Sequence, residues 1–134
     1  MIKRDIEIVD YEWTVHCYIA VRGYLVGEII SELERLGCRG KHLKDAEDCL
    51  RSGHLDGGLT YSDLDGRETV MVIGMASDVS QYLNTIAHEA LHVVQHVCER
   101  MAIDLDSEEP CYIMGGLVQT MYNAVHEERN KYIN

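Results

Sequence analysis

A long amphipathic segment in the C-terminal half constrains the fold of this chain more than any other feature. From Val79 to Met101, apolar residues such as Ala90 and Val94 recur every three or four positions. This spacing places them on one face of an α-helix. Asp78 or Ser80 can serve as the N-cap of that helix. The sequence therefore predicts a helix of roughly six turns with one buried face.

The same segment contains His88-Glu89-Ala90-Leu91-His92, a motif of the form H-E-x-x-H. Two histidines four positions apart share one helix face and are separated by ~6 Å of rise. Imidazoles at that separation can bind one zinc ion, and Glu89 can act as general base on the metal-bound water. With 7 His in the chain, random placement produces about 0.03 such motifs. The motif therefore indicates a zinc site.

A catalytic zinc ion needs a third protein ligand beside an open position. Glu108 follows His92 by 16 positions, enough for the rest of the first helix, a turn and an antiparallel return. Glu109 is the competing ligand, and both carboxylates could instead favour a helix N-terminus capped by Ser107. His96 would extend the histidine row to ~12 Å of rise, too long for one ion. We expect His96 to support the site or line its cavity.

A final helix is predicted after a short acidic loop at 104–107. Its apolar residues have helical spacing from about Glu108 to Tyr132, at Met114, Val118, Met121 and Val125. The pair Gly115-Gly116 lies inside this segment, although each glycine costs about 1 kcal/mol relative to Ala in a helix. The pair indicates either a close approach to another helix, such as the His-bearing one, or a kink.

The N-terminal half contains a β-rich stretch followed by two helices. Residues Asp5 to Val21 read as one long strand or as two strands broken near 10–12. Tyr24 to Leu36 has helical spacing with Gly37 as its C-cap. A more polar helix is predicted from Lys41 to Leu50, ending near residues 52–53.

A hairpin is predicted between these helices and the His-bearing helix. Gly57-Gly58 opens it, and Asp65-Gly66 is a turn signal between the strands Leu59–Ser62 and Glu68–Ile73. The stretch Thr69–Ile73 is either an edge strand that pairs with an extended peptide or an ordinary sheet strand. Together the elements predict an α+β fold with a short, mostly antiparallel sheet packed on helices.

Composition limits the partners and the location of the protein. The length of 134 residues predicts one domain, residues 1–134, and the net charge of −11 makes nucleic acid and anionic membranes poor partners. The sequence has no apolar run long enough to predict a membrane span, and the N-terminal residues do not resemble a signal peptide. The 5 Cys residues are scattered, so we expect reduced, mostly buried thiols and a cytoplasmic protein.

The motif and the residues after it resemble the HExxH zincins of the gluzincin type. More narrowly, the stretch from Leu59 to Met121 is similar to small zincin-like proteins encoded by phages and mobile elements. In those proteins the H-E-x-x-H helix follows a strand, and the next helix opens with E-x-x-A-Y-x-x-G. The matching positions here are Glu108, Cys111 in place of the small Ala, Tyr112 and Gly115.

The resemblance implies a single zincin-like domain that binds one Zn²⁺ ion and acts as a metallopeptidase. Its metal ligands would be His88, His92 and Glu108, and its catalytic residue would be Glu89. The substrate or partner would be a peptide or protein, and Tyr112 is a weak candidate for stabilising the oxyanion, with core packing as the other interpretation. The alternative function is a non-catalytic zincin-fold protein that engages a protein partner through its acidic surface.

Overall fold

The computed structural model describes residues 2–20, 25–52 and 57–130. Within these ranges the chain has an α+β fold, as the sequence predicts. The strands are β1 (Ile2–Ile8), β2 (Trp13–Ile19), β3 (Gly58–Asp63) and β4 (Glu68–Ile73), and the helices are α1 (Val26–Arg35), α2 (Gly40–Ser52), α3 (Val79–Met101) and α4 (Glu109–Asn130).

The β-rich N-terminal stretch forms an antiparallel hairpin of β1 and β2. A short 3₁₀ turn at Val9–Tyr11 separates the strands, and Glu12 follows it with a left-handed φ of 52°. The prediction of two strands broken near residues 10–12 is therefore confirmed, with β1 beginning earlier than expected. Val21, the end of the predicted stretch, lies outside the described residues.

The four strands form one mixed sheet in the order β1-β2-β4-β3. β2 pairs with β4 in parallel, whereas β3 pairs with β4 antiparallel. The Thr69–Ile73 stretch is thus an interior strand, and its interpretation as an edge strand is wrong. Every residue from Thr69 to Ile73 is buried, because helices cover both faces of the sheet at this strand.

Helices pack on both faces of the sheet. α1 and α2 cover the face that carries Tyr18, Val70 and Val72. α3 and α4 cover the opposite face, where Trp13 and Met71 are fully buried. The alternation of side chains along β2 and β4 divides the core into these two layers.

The first two helices lie close to their predicted positions. α1 ends at Arg35, and Gly37 follows with a φ of +102°, a conformation that favours glycine. α2 begins at Gly40 and continues to Ser52. Tyr24 and Gly53, which bound the predictions, lie outside the described residues.

The His-bearing helix has the predicted bounds. Its N-cap is Asp78, whose side chain accepts a hydrogen bond of 2.9 Å from the backbone N–H of Gln81. α3 is 23 residues long and α4 is 22 residues long. Neither of them, nor any other helix in the described ranges, is both long and apolar enough to cross a bilayer.

The glycine pair of α4 does not mark a close helix contact. A Cβ atom added at Gly115 or at Gly116 would have no heavy atom from beyond its local helix backbone within 4 Å in the described part of the chain. Both residues are exposed, and α4 continues through them. The predicted close approach to the His-bearing helix is therefore wrong, because the pair lies on a solvent-facing side of α4. Tyr132, the predicted end of this helix, is outside the described residues.

The cysteines are free thiols, as predicted. Cys17, Cys38 and Cys98 are buried, whereas Cys49 and Cys111 are exposed. Burial raises the pKa of the Cys17 thiol to about 12. The buried thiols therefore act as small apolar core residues.

Candidate metal centre

α3 brings His88, Glu89 and His92 together. Each residue offers a ligand atom, and the three atoms lie within 4.8 Å of one another. The centroids of the two imidazole rings are 5.1 Å apart. His88, Glu89 and His92 form the only such group of His, Cys, Asp and Glu side chains among the residues described. The local geometry predicted for the motif is thus present in the fold.

Helix geometry gives the three side chains different environments. His88 and His92 are one turn apart and point away from the core, so the side chain of His88 is 69% exposed. Glu89 is rotated by about 100° toward the sheet and is only 4% exposed. The histidines are therefore accessible to a metal ion, while the carboxylate is fixed in the protein interior.

The buried carboxylate of Glu89 is held by the edge strand β3. The hydroxyl of Thr60 donates a 2.8 Å hydrogen bond to Oε1 of Glu89. The other oxygen, Oε2, lies 3.7 Å from Nε2 of His88. No Lys or Arg in the described ranges forms an ion pair with Glu89. A buried carboxylate without a Lys or Arg partner is unfavourable for stability, which is typical of a residue retained for function.

Gly58 allows this close contact between β3 and α3. A Cβ atom at Gly58 would lie 2.5 Å from the carbonyl oxygen of Val72 and 2.7 Å from Cγ of Glu89. Only glycine fits here without movement of the strand or of the carboxylate. In the sequence, the Gly57-Gly58 pair indicated only the start of a hairpin, so the roles of Gly58 and Thr60 in the site were missed. A glycine at the first position of a strand is the one signal for such an approach.

We expect Gly58→Ala to destabilise the protein by about 1–3 kcal/mol, because the new methyl group collides with the backbone of β4. Urea unfolding followed by circular dichroism measures this change. Gly27→Ala on α1 is the matched control, since among the described residues a Cβ added there meets no heavy atom within 4 Å from beyond its local helix backbone, and it should be neutral or stabilising by up to ~1 kcal/mol. Equal unfolding midpoints for Gly58→Ala and the wild type would contradict the close packing.

A small cavity lies beside His88 and Glu89. It has a volume of about 200 Å³ and is lined by Gly57, Gly58, Asn84, Thr85, His88 and Glu89. A neighbouring cavity of about 290 Å³ shares Gly57, Asn84 and Thr85 with it. The two form a cleft along the N-terminal half of α3 that reaches Glu89.

The predicted third ligand is not brought into this group. Glu108 is exposed and immediately precedes α4, where its carbonyl oxygen accepts a 3.1 Å hydrogen bond from the N–H of Cys111. Glu109 accepts a 3.0 Å hydrogen bond from the hydroxyl of Tyr11. Ser107 does not cap α4 with its side chain, because its hydroxyl donates to the carbonyl of Asp104 at 2.6 Å. Neither carboxylate belongs to the group of ligand atoms within 4.8 Å.

His96 joins a polar chain between α3 and the sheet. Its Nδ1 lies 2.6 Å from the hydroxyl of Ser62, which is 2.7 Å from the hydroxyl of Thr69. The indole N–H of Trp13 donates to the same Thr69 hydroxyl at 2.9 Å. Burial lowers the pKa of His96, which favours the neutral ring. His96 therefore lies next to the site but outside the group of ligand atoms.

Tyr112 lies on another surface. Its side chain is 74% exposed, and it lines a cavity with residues of the N-terminal hairpin. It does not line either cavity of the cleft beside Glu89. The structure thus fits neither interpretation of this residue, as oxyanion stabiliser or as core residue.

Comparisons with protein-family models, with curated proteins and with solved structures found no match. The chemistry of the described side chains therefore carries the functional argument.

Proposed function

We propose that this protein is a zinc-dependent hydrolase of amide bonds built on a zincin-like domain. His88 and His92 are the metal ligands, and Glu89 is the general base. The observation that carries the proposal is the position of Glu89, a buried carboxylate held between a strand hydroxyl and two exposed imidazoles.

The donor set suits zinc. Imidazoles are common zinc ligands, and those of His88 and His92 lie at the solvent-facing side of α3, where an ion can enter. A bound zinc ion supplies Lewis acidity to water and to the carbonyl oxygen of a substrate. Glu108 is the proposed third ligand; it is exposed just before α4 and lies outside the group of ligand atoms, so its carboxylate would have to turn toward the imidazoles when the ion binds.

Glu89 has the environment that a general base needs. Thr60 engages Oε1 and fixes the rotamer, so that Oε2 remains on the side of His88. From there the carboxylate can accept a proton from water and transfer it to the leaving amine. The cleft beside Glu89 is small and open, so the substrate is an exposed, extended peptide segment rather than an enclosed small molecule.

We expect the purified protein to bind one zinc ion and His88→Ala to weaken zinc binding by about 100-fold or more, because one of two imidazole ligands is lost. Isothermal titration calorimetry with a competing chelator measures the affinity. His42→Ala, a substitution of an exposed histidine on α2, is the matched control and should retain wild-type affinity. Absence of zinc from chelator-free protein would refute the proposal.

The same titration distinguishes the two candidates for the third ligand. Glu108→Gln should reduce zinc affinity, whereas Glu109→Gln should leave it near the wild-type value, because Glu109 is engaged by Tyr11. The opposite order would move the third ligand to Glu109. Equal affinity of both variants and the wild type would remove α4 from the metal site.

A further inference from the structure

A further cavity, separate from the two beside Glu89, lies between the N-terminal hairpin and α4. Its volume is about 420 Å³, which is within the usual range for ligand-binding cavities. Its lining residues include none of those that line the cleft beside Glu89. We call it the hairpin groove, and its apolar part is formed by Ile6, Ile8, Val9, Tyr112, Ile113 and Leu117.

Two large apolar side chains of the hairpin groove are exposed to solvent. Val9 in the hairpin turn is 77% exposed, and Tyr112 on α4 is 74% exposed. They stand on the two walls of the groove, one on each element. Exposed aromatic and aliphatic side chains beside a concave apolar surface are typical of a protein-binding site.

Gly116 keeps the hairpin groove open. It lines the groove, and a Cβ atom at this position would meet no heavy atom of residues 2–20, 25–52 or 57–130 within 4 Å, the local helix backbone aside. Packing inside the described part of the chain thus does not require glycine here, although glycine destabilises the middle of α4 by about 1 kcal/mol relative to Ala. Gly115, its neighbour, does not line the groove.

The rim of the hairpin groove is acidic. Glu7, Asp10 and Glu109 are among its lining residues, and the full set of lining residues contains no Lys, Arg or His. Hydroxyl groups fix two of the carboxylates: Thr14 donates to Glu7 at 2.9 Å, and Tyr11 donates to Glu109 at 3.0 Å. No Lys or Arg in the described ranges forms an ion pair with these three carboxylates. The groove therefore combines an apolar floor with carboxylates at its rim, while the Arg67 guanidinium donates a hydrogen bond to the carbonyl oxygen of Tyr11 at 3.1 Å.

We propose that the hairpin groove binds a segment of a partner protein in which apolar side chains are flanked by Lys or Arg. The apolar side chains of the partner fill the floor of the groove beside Gly116, and its Lys or Arg side chains pair with the rim carboxylates. Complementary charge excludes acidic partners, and a second copy of this chain, with its own net charge of −11, would be repelled. This interaction surface is independent of the zinc site, and the proposal does not rest on hydrolysis.

The test measures binding of the full chain to three fluorescent dodecapeptides by anisotropy. One peptide alternates Lys and Leu, the second alternates Lys and Ser, and the third alternates Glu and Leu. We expect measurable affinity only for the Lys–Leu peptide. Gly116→Leu, which fills the groove, should weaken this binding by about tenfold or more, whereas Gly115→Leu should change it by less than about twofold.

Charge is tested with a matched pair of double variants. Glu7→Gln with Asp10→Asn should weaken binding of the Lys–Leu peptide by about tenfold and reduce its salt dependence. Glu34→Gln with Asp106→Asn removes the same charge elsewhere and should have little effect. Circular dichroism checks that every variant is folded.

Three outcomes would overturn the proposal. In the first, the Lys–Leu and Lys–Ser peptides bind equally, which would show attraction by net charge alone. In the second, Gly115→Leu and Gly116→Leu have the same effect, which would place the binding elsewhere. In the third, the free protein sediments as a dimer that Gly116→Leu dissociates, which would make a second copy the occupant.

Discussion

Glu89→Gln is expected to lower the rate of peptide hydrolysis by about 10²- to 10⁴-fold, while zinc affinity stays near the wild-type value. The amide of Gln cannot accept a proton from water at neutral pH, but it retains the shape of the carboxylate. Its oxygen can still accept the hydrogen bond from Thr60. The variant therefore separates proton transfer from metal binding and from folding.

Mass spectrometry of a mixed peptide library, incubated with zinc-loaded protein, measures the hydrolysis. Glu99→Gln is the matched control, because Glu99 lies on the same helix and is exposed. Cleavage that persists in Glu89→Gln would exclude Glu89 as the base. If the wild type binds zinc and cleaves no peptide in the library, the non-catalytic binding function becomes the better explanation of the fold.

Trp13→Ala is expected to destabilise the protein by about 3–5 kcal/mol, the usual effect of removing a large aromatic side chain from a core. Trp13 is fully buried at the start of β2 and packs in the layer between the sheet and α3 and α4. Its indole N–H also donates to Thr69. The substitution leaves both a cavity and a broken polar chain.

Urea unfolding measured by far-ultraviolet circular dichroism determines the effect of Trp13→Ala. Trp13→Phe provides the control, since it keeps most of the apolar volume and removes the hydrogen bond to Thr69. It should cost about 1–3 kcal/mol, from the lost hydrogen bond to Thr69, whose hydroxyl keeps Ser62 as a partner, and from the smaller ring. An unfolding midpoint for Trp13→Ala equal to that of the wild type would contradict the burial of this residue.

The elements of this fold were predictable because their signals are local. The apolar spacing of α3 and the cap at Asp78 both act within a few residues, and the helix has the predicted bounds. Asp65-Gly66 likewise lies between the two strands that it was predicted to connect. Such signals depend on backbone preference and helix period, which a single sequence contains.

The order of the strands was not predictable in the same way. Strand pairing joins residues that are distant in sequence, and the apolar run at Thr69–Ile73 was compatible with either an edge or an interior position. The structure shows every residue of this run to be buried, as expected for an interior strand, since a strand covered on both faces needs apolar residues on both sides. The Gly115-Gly116 interpretation failed for a related reason, because it assumed which side of α4 faces another helix.

One part of the candidate site was likewise predictable from the sequence, and another part was not. His88, Glu89 and His92 lie within one turn and a half of helix, so their proximity follows from the motif alone. Thr60 comes from a strand 29 positions earlier, and only the tertiary structure places it against Glu89. The resemblance implied a position for Glu108 at the metal. That position depends on the path of the loop before α4, which local sequence preferences do not determine.

The parallel pairing of β2 with β4 also has a consequence for the order of folding. Each hairpin, β1 with β2 and β3 with β4, joins strands that are close in sequence and can form early. The seam between them brings together Trp13 and Thr69, which are 56 positions apart, with α1 and α2 in the intervening chain. Closing that loop has the larger entropic penalty, so we expect the joining of the two hairpins to limit the rate of folding. The only tryptophan of the chain lies at this seam, so we expect its fluorescence to report on that step during refolding.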